Sequence, residues 1–173
     1  MALTQFDGGL IASVAGASLT GSQSIPKSTL PTGSVLQVVQ GTLTATTSTS
    51  STSFVTTNLS ASITPSSATS KILAVVSMAD CLIDTVSKNG CATLYRGSTN
   101  LSPAGSSVTN GMAALRSESG AIQTNISFSY LDSPSTTSSA TYTVYFAILA
   151  ATATFNINNI GTASTIILME IAA

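Results

Sequence analysis

The sequence predicts an all-β protein: an antiparallel β-sandwich of jelly-roll-like type over residues 33–173, preceded by an extended N-terminal arm, residues 1–32. Three observations lead there. From Gly33 onward, short runs rich in Val, Ile, Thr, Tyr and Phe alternate with turn residues at regular spacing, the pattern of a sandwich or barrel. No helical period lasts beyond two turns, and no strict repeat recurs, which argues against a solenoid.

The arm, Met1–Thr32, is built of small residues punctuated by Gly8-Gly9, Gly16, Gly21, Pro26 and Pro31. Its scattered apolar side chains Phe6, Leu10, Ile11, Val14 and Leu19 exceed what a solvated linker usually carries. They are the expected attachment residues, ordered when laid on a partner. The N-terminus lacks the basic region of a secretory signal, so none is expected.

Val35–Gln40 opens the domain, and Thr42–Ser53 is a Thr/Ser tract compatible with a strand running into a loop. Phe54–Ile63 alternates and stops before Pro65, which cannot donate to a ladder. Lys71–Ala79 is apolar on both faces, with Ile72, Ala74, Val76 and Met78 on one and Leu73 and Val75 on the other, so it is expected to lie centrally. Thr165–Ile171 is read in the same way.

Asn89-Gly90 and Asn110-Gly111 carry the residues of a type I′ hairpin turn, with strands Ala92–Arg96 and Met112–Leu115 following them. Gly97-Ser98-Thr99-Asn100 is a further turn. Ile122–Leu131 and Tyr142–Leu149 read as the two strands of a central hairpin joined through Asp132-Ser133-Pro134, and this stretch holds five of the nine aromatics. Phe155–Ile157 and Thr165–Ile171, with Gly161 between them, bring the expected total to eight to ten strands.

Charged residues are 6% of the chain, whereas Ser and Thr make up 57 of 173 residues. The surface is therefore hydroxyl-rich and nearly uncharged. With 43% hydrophobic residues and a net charge of −1, such a chain favours association. A closed homo-oligomer is expected, burying one apolar face in the core and another between subunits. The five cations, Lys27, Lys71, Lys88, Arg96 and Arg116, are scattered and form no basic patch for nucleic acid. No segment reaches the roughly 20 apolar residues of a membrane helix, so no membrane insertion is expected. Cys81 and Cys91 are expected to be free, buried thiols rather than a disulfide.

Chemistry is sparse. The absence of histidine removes the commonest general base and metal ligand, and no catalytic residue, metal or cofactor site is expected. Asp80 and Asp84 are the closest carboxylates. On one strand face they stand about 13 Å apart, beyond either glycosidase geometry. Asp132, ahead of Ser133-Pro134, reads as a turn cap whose carboxylate accepts from backbone N–H groups of the turn. Glu170 shares a strand face with Ile166 and Leu168, where a charge needs a partner. Arg116, Arg96 or a neighbouring subunit's cation could supply it, as could a solvent-exposed strand end. The triplets at Asn58, Asn100 and Asn125 match the glycosylation pattern at the frequency a Ser/Thr-rich chain produces by chance.

Across Gly33-Ser-Val-Leu-Gln-Val-Val-Gln40, Ser60-Ala-Ser-Ile-Thr-Pro-Ser-Ser-Ala-Thr-Ser-Lys-Ile-Leu73, Leu94-Tyr-Arg-Gly-Ser-Thr99, Tyr130-Leu-Asp-Ser-Pro134, Tyr142-Thr-Val144 and Thr165-Ile-Ile-Leu-Met-Glu-Ile171, the chain resembles the tail-fibre and capsid-decoration proteins of tailed bacteriophages of aquatic bacteria. The resemblance spans about Leu30 to Ala173 and includes no catalytic motif. It implies a homotrimer on the virion surface, assembled in the host bacterial cytoplasm. Other virion proteins of the tail, portal vertex or capsid are the implied partners, and a host surface glycan is a candidate receptor. The chain has no room for the long shaft of many tail fibres. A short fibre or tip and a capsid cement or head-fibre protein therefore both stay open, with a polysaccharide depolymerase as the remote alternative.

Overall fold

Among the described residues the chain runs through eleven strands: β1 (Val35–Leu43), β2 (Thr47–Thr49), β3 (Val55–Ile63), β4 (Lys71–Ile83), β5 (Lys88–Arg96), β6 (Thr99–Asn100), β7 (Ala113–Ser117), β8 (Ile122–Asp132), β9 (Ala140–Ile148), β10 (Phe155–Ile157) and β11 (Ser164–Ile171). This is a computed structural model, and it describes residues 27, 30–105 and 111–173. The chain divides into Met1–Leu30 and Pro31–Ala173, and the fold is that of the second unit. Phe6, Leu10, Ile11, Val14 and Leu19 lie outside the described residues.

The eight longer strands build two antiparallel four-stranded layers. Sheet 1 has the order β1-β11-β4-β8, with β10 and β2 extending it beside the far end of β4. Sheet 2 has the order β3-β9-β5-β7, and the short β6 also pairs with β5. First strand pairs with last (β1 with β11), then β3 with β9, β4 with β8 and β5 with β7. That nesting is a jelly roll.

The nesting corrects the expected central hairpin. Ile122–Asp132 and Ala140–Ile148 do not pair with each other: β8 lies against β4 in sheet 1 and β9 between β3 and β5 in sheet 2. Residues 133–139 cross from one layer to the other. The alternation within each strand holds nevertheless. Tyr142, Val144, Phe146 and Ile148 are all fully buried, because period two sends them together onto the inner face.

Asn89-Gly90 is likewise no turn; both residues lie inside β5, opposite Arg116 and Leu115 of β7. The chain reverses at Asp84–Ser87, where Ser87 takes a φ of +58°. Gly90 serves packing instead: a Cβ there would stand 2.7 Å from Cδ1 of Phe155 across the sandwich. Asn110 lies outside the described residues.

The core is the inner face of each sheet. Ile72, Ala74, Val76 and Met78 of β4 meet Leu59 and Ile63 of β3 and the inward row of β9, all at 1% exposure or less. Phe146 and Phe155 pack ring to ring between the sheets at 5.5 Å. Each such large side chain contributes about 1.5–3 kcal/mol by leaving water. Sheet edges come together where Gly41 of β1 lies against the Ser60 carbonyl of β3, an approach that only a residue without a Cβ allows. β4 and β11 are central, as expected, but only one face of each is fully buried within the chain.

Candidate functional site

The outer face of sheet 1 is where the apolar pattern goes unspent. Register places Val38, Met169, Leu73 and Leu131 side by side across β1, β11, β4 and β8. The next inward row toward the sheet centre is Gln40, Ile167, Val75 and Ser129, and the row at the other side is Val35, Ile171 and Lys71. Four strands at about 4.8 Å spacing make a band about 15 Å wide. Val38 is 57% exposed, Val35 51% and Leu131 49%, while Leu73, Val75, Ile167, Met169 and Ile171 are half-buried. Beside this band Thr32, Gly33, Lys71, Leu131, Ile171, Ala172 and Ala173 line an open apolar groove of about 340 Å³.

The carboxylates tell a different story, since the fold uses them internally. Asp80 sits in a bulge of β4 at a φ of +49° and is buried; its Oδ2 accepts from the Ile160 N–H at 2.6 Å and its Oδ1 from the Gln123 amide. Asp84 is exposed and accepts from the Thr154 N–H at 3.1 Å. The bulge leaves the two side chains in different environments, Asp80 buried and Asp84 exposed.

Asp132 is not the turn cap its sequence context suggests. It ends β8 opposite Ile72 and is turned inward, where its Oδ2 accepts from Arg96 Nη1 at 2.5 Å and from the Tyr142 hydroxyl at 2.7 Å. Burial, and next to it the Asp132 carboxylate, lifts the Tyr142 pKa well above the ordinary tyrosine value. This knot ties β8 of sheet 1 to β5 and β9 of sheet 2.

Glu170 is fully buried, not at a solvent-exposed strand end, and pairs with neither Arg96 nor Arg116, which are taken by Asp132 and Glu118. Its oxygens accept from Gln37 Nε2 at 2.6 Å, the Ser66 N–H at 2.7 Å and the Ser66 hydroxyl at 2.6 Å. Burial alone raises a carboxyl pKa, but these donors, with Ser70, outweigh it and bring Glu170 down to about 2. Arg116 pairs with Glu118 at 3.1 Å on the surface, a contact of little energetic weight.

Both cysteines are free and buried. Desolvation pushes the Cys81 thiol up to about 12 and raises Cys91 too, which disfavours the thiolate at both. Among the described residues, no group of three or more His, Cys, Asp and Glu could hold a metal ion. Asn100 and Asn125 spend their amide oxygens on Thr93 and the Asp80 N–H.

One arrangement escaped sequence reasoning. All four tyrosines fall in strands, as expected, but Tyr95 of β5 and Tyr145 of β9 stack on the outer face of sheet 2 with centroids 4.0 Å apart, and Phe54 meets Tyr95 edge-on at 6.5 Å. The signal available was their strand parity, odd where the buried Tyr142, Val144 and Phe146 are even; their adjacency depends on the β5–β9 register, which no single strand reveals.

The fold and these surfaces define the class: a jelly-roll β-sandwich with an apolar outer face on sheet 1. No protein-family model matches the chain, and no curated protein matches it.

Proposed function

We propose that the chain is a non-enzymatic structural protein of a bacteriophage virion, a homotrimeric surface module attached through its N-terminal arm. The apolar row Val38–Met169–Leu73–Leu131 carries this reading. An exposed apolar band with hardly a charge near it is suited to burial between subunits, and the edge beside it supports the same contact. Among the described residues β8 pairs with β4 alone, and Ile122–Leu131 carries no Lys, Arg or Pro to blunt its free edge. The resemblance to phage surface proteins supplies the setting, and Phe6, Leu10, Ile11, Val14 and Leu19 supply the apolar contacts of the arm.

Light scattering on the intact chain at micromolar concentration checks the assembly: a mass of three chains is expected, and a monomer overturns it. Deleting residues 2–29 should leave a folded oligomer that no longer joins particles. Capsid decoration is the second reading, favoured because the described residues from 31 onward make a single sandwich. Copy number separates the stations: a few to about twenty chains per particle fits a fibre on a small number of symmetric vertices, and hundreds fit decoration. The depolymerase alternative gains ground only if the protein cleaves a glycan and a single Asp80→Asn, Asp84→Asn, Asp132→Asn or Glu118→Gln change abolishes cleavage without unfolding it.

A further inference from the structure

We infer that the outer face of sheet 2 holds a binding site for neutral hexose oligosaccharides, centred on the stacked pair Tyr95 and Tyr145. A pyranose ring is amphipathic: its C–H face packs on an aromatic ring, while its hydroxyls need donors and acceptors at the rim. Both halves of that requirement meet here. Across the sheet, register sets Thr56 and Tyr145 in one row, beside the buried Thr93, and Ser60, Thr143, Tyr95 and Asn100 in the next. The rings stack at an interplanar angle of 28°, and Phe54 braces Tyr95 at 68°. Tyr95, Tyr145 and Phe54 are each half-buried, so the cluster keeps surface for a ligand while its position is held by its own contacts.

Charge decides the class of sugar. Arg96, next to Tyr95 in the chain, turns inward to Asp132, and the outward positions Thr56, Ser60, Ser62, Thr141 and Thr143 are all hydroxyls. A uronic or sialic acid would find no counter-ion in these rows, whereas a neutral hexose needs none. Strand-borne tyrosines, with two side-chain torsions each and already stacked, lose little freedom on binding. A cross-strand aromatic pair also stabilises a sheet by about 0.2–1 kcal/mol. That role does not call for a surround of hydroxyls, and the test separates the two.

The inference rests on the surface-display reading for its setting only, since the residues belong to one chain. With no Trp present, the intrinsic emission is that of four tyrosines, so stacking of a ligand on this pair is read directly. The intact protein is titrated with dextran, mannan and maltohexaose, followed by tyrosine fluorescence and calorimetry. Binding of at least one is expected, with little dependence on added salt because no charge is paired. Tyr145→Ala should weaken it at least about tenfold, Tyr145→Phe should retain it, and Thr143→Lys should block the rim with the rings intact. Circular dichroism of each variant must match the parent. No binding of any of the three probes, or binding that Tyr145→Ala and Thr143→Lys leave unchanged, overturns the inference. So does a variant that breaks the oligomer while no probe binds, since the face is then a subunit contact. A monomeric protein that binds sugar through Tyr145 refutes the trimer and leaves this site standing.

Discussion

The Tyr142 hydroxyl donates to Asp132 Oδ2 at 2.7 Å from the opposite sheet, so the two layers of the sandwich are joined through a buried carboxylate as well as by apolar packing. Arg96 grips the same oxygen. Tyr142→Phe keeps the ring and deletes one donor to a buried charge, which should cost about 2 kcal/mol. Arg96→Met leaves the carboxylate to Tyr142 alone and should cost at least as much. Urea unfolding would register both as a lower midpoint at unchanged slope; a loss below about 0.3 kcal/mol for either variant would show that the knot is idle.

Glu170 makes stability depend on acid. Its folded pKa of about 2 lies below the ordinary 4.5, so its contribution is fully present above about pH 5 and is lost as pH falls from there through 2. The difference corresponds to roughly 3 kcal/mol. Glu170→Gln should therefore destabilise the protein at pH 7 and flatten its stability profile between about pH 5 and 2. A variant whose profile keeps the parent's slope in that window would assign the acid sensitivity to other carboxylates.

Much of the domain was legible because strand parity is local. Ile72, Ala74, Val76 and Met78 alternate against Leu73 and Val75, and Tyr142 to Phe146 alternate in burial before Ala147 is covered too, so strands and inner faces follow largely from spacing. Which sheet a strand joins is not local. β8 and β9 are neighbours in the chain and lie in different layers, because a jelly roll pairs strands by nesting rather than by succession. Glycine misled for a related reason: Gly90 is demanded by Phe155, 65 residues away, and not by a turn. The partners of Asp132 and Glu170 also come from distant strands and loops, at separations of 36 residues for Arg96 and 133 for Gln37. The Tyr95–Tyr145 stack exists only once β5 and β9 are in register.

Two of the close-approach glycines, Gly41 and Gly90, should rank by what stands opposite them. A Cβ on Gly41 runs into the backbone carbonyl of Ser60, which cannot move without shifting β3. A Cβ on Gly90 meets the Phe155 ring at 2.7 Å and the Ile83 Cδ1 at 3.1 Å, and side chains can tilt. Gly90→Ala should cost about 1–3 kcal/mol and Gly41→Ala more. Melting temperatures in the reverse order would mean that the β1–β3 edge is softer than the core.

The outer face of sheet 1 gives the sharpest separation of folding from assembly. Val38 and Leu131 are 57% and 49% exposed in the single chain, so lysine at either position should change domain stability by less than about 0.5 kcal/mol. In a subunit interface the same lysines must leave water without a partner, and an unpaired buried charge is costly enough to prevent association. Val38→Lys with Leu131→Lys should therefore yield a folded monomer, with the circular dichroism of the parent and a third of its mass by light scattering. Ser62→Lys is the control: it places the same charge on the exposed outer face of sheet 2 and should leave the proposed trimer whole. A double variant that stays trimeric would move the subunit contact away from this face, to the free edge of β8 or to the arm, whereas dissociation by Ser62→Lys alone would place it on sheet 2.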